Sequence, residues 1–482
     1  MDSTERISAF EKRLKRQVIG KPHRFLAVVP LGFEKTFVRE MDFLRRESVE
    51  NQGTSSLDIK IAGDGKVEFT AKLVDAWKVV AYSRIANRIL MHIADFKAEN
   101  FRELEKKAAE IPWELFLTTN HQPLTTIHVS CKHSRLYHSD AVAERLQKVI
   151  EGGSLPLAAA PVGSSATPSA GTPRNAPKSE ASDLAPHTSS LYVTLIDDRC
   201  TLWLDLAGEE LYKRGHERFV NDAPLKETIA AAILQEAFNA AILTTNHQPL
   251  ITLIDPMSGS GTFSLEAAYM ANALIPGKCR DFALKHQPAF KPATWDFLIR
   301  RENDNSMLSL RRNEVTAAIP GTIQKIVTSD ISERAVEIIQ HNVECCPLAN
   351  IAPSTAAPTI SPQLRDFFSY TAKEIADLCG ESSPVIVLNP PYGKRLDFDA
   401  PKLYTQIGKK LAELARELAP LGKQLTVAIL APKDDSRPGS KYTCTANLQH
   451  ECPALNPQQN SDAKCIVTSH GGISLNAIIA RI

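Results

Sequence analysis

The last half of this chain has a grammar that few folds satisfy. Short, unbroken apolar runs, V-I-V-L at 385–388 and T-V-A-I-L at 426–430, alternate with segments whose apolar residues recur every three or four positions. A strand that is apolar on both faces must be covered on both, which requires parallel strands with helices on either side. Read this way, the order is helix Leu225–Leu243, strand Leu250–Ile254, helix Thr262–Leu274, strand Ile326–Ser329, helix Glu333–Val343, strand Val385–Leu388, helix Tyr404–Leu418 and strand Leu425–Leu430. The expected fold is a doubly wound α/β domain.

The first part reads differently. Strands are expected at Arg24–Pro30, Val67–Leu73, His128–Cys131, Leu191–Leu195 and Thr201–Leu206, and helices at Glu34–Arg46, Trp77–Met91, Phe101–Ile111 and Asp140–Ile150. That mixed order predicts helices layered on an antiparallel sheet. Residues 151–190 contain 29 Gly, Ala, Ser, Thr or Pro in 40 positions and no aromatic residue, the composition of a flexible linker or a long loop inside the α+β unit. Pro347–Gln363 and Ser436–Lys464 are expected to be surface loops. The octapeptide L-T-T-N-H-Q-P-L occurs at 117–124 and at 243–250, too short for a stacking repeat; a duplicated loop is expected, without a ligand role for His121 and His247.

Composition narrows the function classes. With 43% hydrophobic and 23% charged residues, the chain is neither disordered nor membrane-spanning, and no apolar stretch approaches the roughly 18–20 residues that a bilayer needs. The start carries Asp2, Glu5 and Glu11 and no apolar core, so a secretory signal is not expected and the location is read as cytoplasmic. Nine cysteines without a C-x-x-C pair argue against a disulfide framework and against a metal site. Residues 1–150 hold 25 Lys and Arg against 20 Asp and Glu, leaving 31 against 35 for the rest, so the basic excess lies at the amino-terminal end. Such an excess suits an anionic partner, and equally an ordinary solvated surface.

Three motifs carry chemistry. D-P-M-S-G-S-G-T-F at 255–263 sits at a strand-to-helix turn, where Gly259 and Gly261 permit close backbone approach and the following helix presents free N–H groups. Asp330 closes the next strand; a carboxylate there can accept both hydroxyls of a ribose, or it can cap the following helix. N-P-P-Y at 389–392 follows a buried strand: two prolines stiffen the turn, Asn389 and the Pro390 carbonyl can accept from an exocyclic amine, and Tyr392 can stack on a base. Holding both hydrogens of such an amine orients its nitrogen for attack, and positioning of this kind supplies much of the rate without metal or strong base.

In combination these residues resemble the S-adenosylmethionine-dependent amino methyltransferases. The stretches C-K-H-S-R-L-Y-H (131–138), D-L-A-G-E-E-L-Y-K-R-G-H-E-R (205–218) and A-P-L-K-E-T-I-A-A-A (223–232) extend the likeness to the bacterial ribosomal RNA guanine-N2 methyltransferases that carry a THUMP domain, over about residues 24–482. The resemblance implies an α/β fold in which a Rossmann-like class I methyltransferase domain at 206–482 follows an α+β module: a ferredoxin-like segment at 1–65 and a THUMP-like RNA-binding domain at 66–205, with the insertion at 151–190. It implies S-adenosylmethionine as cofactor, bound by Asp255, Pro256, Ser258, Gly259, Gly261 and Thr262, with Asp330 at its ribose and Asp366 at its adenine. It makes Asn389, Pro390, Pro391 and Tyr392 the target-base clamp. Ser258 departs from the cysteine usual in the family. With the chain ending at Ile482, a single methyltransferase activity is expected.

Lys132, His133, Arg135 and His138, supported by Arg84 and Arg88 on the preceding helix, are candidates for RNA phosphate contacts, and Lys394 and Arg395 for the phosphates flanking an extruded base. The expected reaction is methylation of a guanine N2 in large-subunit ribosomal RNA or its assembly intermediate. Alternatives on the same residues are guanine in transfer RNA, adenine N6, a DNA substrate, or a non-catalytic RNA-binding assembly factor.

Overall fold

The computed structural model describes residues 8–49, 58–117, 126–152, 178–179, 189–220, 224–242, 250–300, 322–350, 358–392, 399–435 and 443–482. The strands are β1 (His23–Val28), β2 (Asp58–Gly63), β3 (Lys66–Ala71), β4 (Arg88–Lys97), β5 (Thr126–Lys132), β6 (Lys178–Ser179), β7 (Ser190–Ile196), β8 (Arg199–Asp205) and β9 (Phe219–Val220), then β10 (Ile251–Asp255), β11 (Ile323–Asp330), β12 (Pro362–Leu364), β13 (Ser383–Leu388), β14 (Thr426–Pro432), β15 (Lys464–His470) and β16 (Ile473–Arg481).

Two seven-stranded sheets organise the molecule. The second has the order β12-β11-β10-β13-β14-β16-β15, with β10 to β14 parallel and β16 antiparallel to both neighbours. Every residue of β10 and β14 is buried, as the unbroken apolar runs require. Helices begin where the sequence supplies caps: Ser332 accepts from the Ala335 N–H, and Thr371 with Glu374 forms a reciprocal capping box. The strand order reverses between β10 and β13, and at such a switch point a crevice opens beyond the carboxyl ends of the strands.

The first sheet has the order β2-β3-β1-β4-β8-β7-β5, antiparallel except for the β5–β7 pair. The boundary expected at residue 65 falls inside the β2–β3 hairpin, and strands from both sides of it share this one sheet. The low-complexity segment follows helix Ser139–Gly152 and leads into β7, so in chain order it lies between two paired strands of one sheet, β5 and β7, while its Lys178–Ser179 pairs as β6 with β9. Helix Glu227–Ile242 ties the two halves together: Glu236, buried at its centre, accepts from Thr36 at 2.6 Å and is bridged by Arg39 and, at 3.4 Å, by Lys464.

Three expectations are corrected. The helix expected over Trp77–Met91 spans only Leu73–Tyr82; Ser83 turns extended and β4 begins at Arg88. Apolar residues at 85, 86 and 89 to 91 are all buried, and so dense a run fits either period. The segment 436–464 is not a plain surface loop, since helix Cys444–Glu451 buries Cys444 and Leu448 against helix Ala400–Leu418. Pro347–Gln363 contributes a short 3-10 turn and part of the edge strand β12. Both copies of the repeated octapeptide lie outside the described residues except for Leu117 and Leu250. Among the described residues no helix is long and apolar enough to cross a membrane, and no group of three or more His, Cys, Asp or Glu is placed to hold a metal ion.

Candidate functional site

The glycine turn, the two strand-end acids and the N-P-P-Y turn all fall at the carboxyl ends of β10 to β13, around the switch point. The turn after β10 is stitched to the end of β11: the Ser258 N–H and hydroxyl both donate to the Ser329 carbonyl, at 3.1 and 2.8 Å, and the Gly259 N–H donates to Asp330 Oδ2 at 2.9 Å. Asp330 Oδ1 accepts from the Ser332 N–H at 2.9 Å. Each carboxylate oxygen therefore keeps a free lone pair at the strand end.

The two glycines have different tasks. Gly259 has φ +56° and open space where a Cβ would stand, leaving room on the crevice side. Gly261, at φ +80°, would drive a Cβ to 3.1 Å from Ile339 Cγ1, so its close approach is to helix Glu333–Cys345. Asp255 is fully buried; its Oδ2 accepts from the Ser264 N–H and hydroxyl at 3.2 and 2.7 Å, which pins the start of helix Thr262–Ala271. Burial pushes its carboxyl up to about 7, with Asp330 adding repulsion. Pro256 and Thr262 complete the turn. Asp366, beyond β12, caps a 3-10 turn by accepting from the Phe368 N–H at 3.0 Å.

At the end of β13, Asn389 Oδ1 is buried and has no hydrogen-bond partner. An unmet buried acceptor costs about 1–3 kcal/mol, so the position invites a donor. Pro390 is buried and Pro391 is exposed. The Tyr392 hydroxyl lies 3.2 Å from His470 Nδ1 at the tip of the β15–β16 hairpin, and burial pushes the phenol up to about 12. The same burial holds the His470 imidazole low, helped by Lys226 and opposed by a hydrogen bond to the Pro224 backbone. Because proline has no N–H, that bond runs from the ring to the Pro224 carbonyl, which leaves the ring's other nitrogen to accept from Tyr392.

Sequence reasoning missed the groups that hold the glycine turn from behind. Arg218 is buried, is paired with Glu227, and donates to the Ser260 and Thr262 hydroxyls. Asn342 clamps both the N–H and the carbonyl of Phe219 at 2.8 and 2.9 Å and donates to the Ser260 carbonyl at 3.1 Å. Arg214 forms a buried two-point bridge to Glu266. The only sequence signal was a dense basic stretch, K-R-G-H-E-R, between a strand and a helix.

The basic residues separate. Lys132, His133, Arg135 and His138 are exposed together beyond β5, where Arg135 pairs with Glu99 and approaches Asp198 at 3.8 Å. Arg84 and Arg88 do not join them and are not available to a phosphate. The Arg84 guanidinium donates to the Tyr269 and Leu274 carbonyls and lies 3.6 Å from Glu266, tying the two halves of the chain. Arg88 is held by Asp205 and the Gly208 carbonyl. Reading both on a helix had hidden this, because the chain turns from helix to strand between them. Lys394 and Arg395 lie outside the described residues.

The sequence and the fold have counterparts among known proteins. Residues 214–428 match the family described as RMKL-like, methyltransferase domain. The chain is 26% identical over 410 residues to the ribosomal RNA large subunit methyltransferase K/L of Syntrophotalea carbinolica, an alignment covering 81% of this chain and 47% of that one. It is 27% identical over 380 residues to the "Putative RNA methyltransferase YpsC" of Bacillus subtilis, covering 78% and 80%. The chain thus spans about half the length of the K/L relatives it matches. In fold it resembles the crystal structure of SMU.472, "a putative methyltransferase complexed with SAH", with a TM-score of 0.62 and 21% identity over 95% of this chain and 98% of that one. Over residues 214–428 the chain is thus similar to the methyltransferase domain of the RMKL-like family.

Proposed function

We propose that this chain transfers a methyl group from S-adenosylmethionine to the exocyclic N2 amine of a guanine in large-subunit ribosomal RNA. The observation that carries the reading is the buried, unpartnered Asn389 Oδ1 at the switch point, beside a glycine turn that is braced from three sides. The residues present fit the cofactor: Gly259 leaves room, and Asp330 retains acceptor capacity where ribose hydroxyls would sit. Asp366 stands beyond the neighbouring strand, on the side assigned to the adenine.

S-adenosylmethionine supplies an electrophilic methyl group; everything else is positioning by the protein. Asn389 Oδ1 accepts one N–H of the amine and the Pro390 carbonyl accepts the other, which turns the nitrogen lone pair toward the crevice. Tyr392 provides the stacking face, with its hydroxyl tethered to His470. Fixing the amine this way is worth most in a site shielded from water, where preorganised acceptors need no rearrangement during reaction. The amino-terminal α+β unit, with a THUMP-like module built on its single seven-stranded sheet, delivers the RNA. Its candidate contacts are Lys132, His133, Arg135 and His138.

The test is transfer of labelled methyl from S-adenosylmethionine to separated large-subunit, small-subunit and transfer RNAs that lack their own modifications, followed by nucleoside mass analysis. N2-methylguanosine in large-subunit RNA alone is expected. Label in transfer RNA, or as N6-methyladenosine, would overturn the assigned substrate. Saturable cofactor binding without label on any RNA or assembly intermediate would favour a binding role.

A further inference from the structure

Among the described residues, the two faces of the first sheet are built differently. Leu191, Val193 and Leu195 of β7 and Cys200, Leu202 and Leu204 of β8 point into the helix-packed core at 0–1% exposure. On the opposite face, among the described residues, the small cluster of Leu26, Leu90 and Trp203 with Val28 and Tyr192 is built from strand residues alone.

Register places four rings in a row across that face. His128 of β5 pairs with Tyr192 of β7, Tyr192 with Trp203 of β8, and Trp203 with His92 of β4. His128 is exposed and stacks on Tyr192 with centroids 4.7 Å apart and planes 23° from parallel; His92 meets Trp203 edge-on at 5.2 Å. Two guanidinium groups lie over the row, Arg88 at 5.3 Å from Tyr192 and Arg24 at 5.2 Å from Trp203. Asp205 and Asp95 hold these arginines in place.

Four residues further along β5 and β8, about 13 Å away at the usual rise, and five along the bulged β4, the same face ends in a row that holds the exposed cations Lys132, Arg199 and Lys97, with Ile196 of β7 between the first two. Arg199 lies 3.6 Å from the partly buried Asp95, which Arg24 also engages, and Lys97 lies 2.6 Å from Glu99. With the cation solvated, such a pair is worth about 0–1 kcal/mol. The row continues into the Lys132–His138 loop, where Tyr137 is 68% exposed.

We propose that this open sheet face is a stacking platform for single-stranded RNA, with bases against the His128–Tyr192 rings and the Arg88 and Arg24 guanidinium planes, and phosphates toward Lys132, Arg199 and Lys97. Flat rings under guanidinium groups, bordered by cations, match a partner that carries both planar bases and regular negative charge. The inference rests on the reading that the substrate is RNA, and it adds a contact surface remote from the methyl-transfer crevice.

Binding of a fluorescein-labelled twelve-nucleotide oligouridine to the full chain, followed by anisotropy without cofactor, tests it separately from catalysis. Tyr192→Ala and His128→Ala should each weaken binding about five- to tenfold, in line with the loss of one stacked base. Tyr192→Phe should bind like the parent, which a general loss of structure would not allow. Lys132→Glu, a change at an exposed position, should weaken binding and flatten its dependence on salt. Unchanged affinity in both alanine variants would overturn the platform even if methyl transfer to RNA is established. So would tight binding of a duplex with none of the oligouridine, or a chain dimer that Tyr192→Ala dissociates.

Discussion

Arg218 and Glu227 offer a way to separate folding from cofactor binding. The two are 4% and 7% exposed, and the Arg218 guanidinium also serves the Ser260 and Thr262 hydroxyls of the glycine turn. Arg218→Ala strands the Glu227 carboxylate, which burial already pushes toward its protonated form and which Arg218 and Arg214 oppose. Breaking a buried pair by removing one partner costs about 3–5 kcal/mol. With a urea dependence near the upper end of the usual range, about 3 kcal/mol per molar, the unfolding midpoint should fall by roughly 1–2 M. The double variant Arg218→Met with Glu227→Gln removes the stranded charge and should recover most of that loss, because an apolar replacement of a buried pair is often nearly neutral. The glycine turn still lacks its two hydrogen bonds, so calorimetric titration with S-adenosylmethionine should show affinity about tenfold weaker, the equivalent of about 1.4 kcal/mol. A double variant that regains both stability and full affinity would refute the claim that Arg218 braces the turn. A midpoint unchanged in the single variant would refute the buried-pair reasoning itself.

Other outcomes follow from the same geometry. Asp255 keeps its proton to about pH 7 in the folded chain and loses it near 4 when unfolded, so its contribution favours folding at low pH and is lost as pH rises through that window; Asp255→Asn should flatten the fall in urea midpoint between pH 4 and 7. Gly261→Ala combines left-handed backbone strain of about 1–2 kcal/mol with the contact to Ile339 Cγ1 and Cγ2, so its loss in unfolding midpoint should be smaller in an Ile339→Ala background, which lacks both γ-carbons, than in the parent. His470→Ala and Tyr392→Phe should each slow methyl transfer at saturating cofactor, and the double variant should be no slower than the worse single one, since both remove one hydrogen bond; additive losses in the double-mutant cycle would show that the two act separately.

Much of the second half was legible because each parallel strand announced itself as an unbroken apolar run and each functional turn directly followed one. Gly259, Asp330 and Asn389 could be placed at one crevice from strand order alone. The groups behind the turn were not legible: Arg218 reaches Ser260 and Thr262 from more than 40 positions away, and Asn342 spans 123 to reach Phe219. Periodicity has no access to contacts of that separation. Arg84 and Arg88 show the opposite failure, where charge was read as surface although each arginine satisfies carbonyls distant in sequence, Leu274 beyond helix Thr262–Ala271 and Gly208 beyond β8. The His128–Tyr192–Trp203–His92 row became visible only through register, since its members come from four strands whose pairing no local pattern specifies.

In the proposed mechanism Asn389 orients the target amine. Single-turnover methyl transfer to unmodified large-subunit RNA, measured alongside calorimetric titration with S-adenosylmethionine, compares the parent chain with Asn389→Ala. Loss of one preorganised acceptor predicts a rate constant lowered about 10²–10³-fold, with cofactor affinity within about threefold of the parent. An Asn389→Ala chain that turns over at the parent rate, or whose slower reaction is fully explained by weaker cofactor binding, would contradict the account.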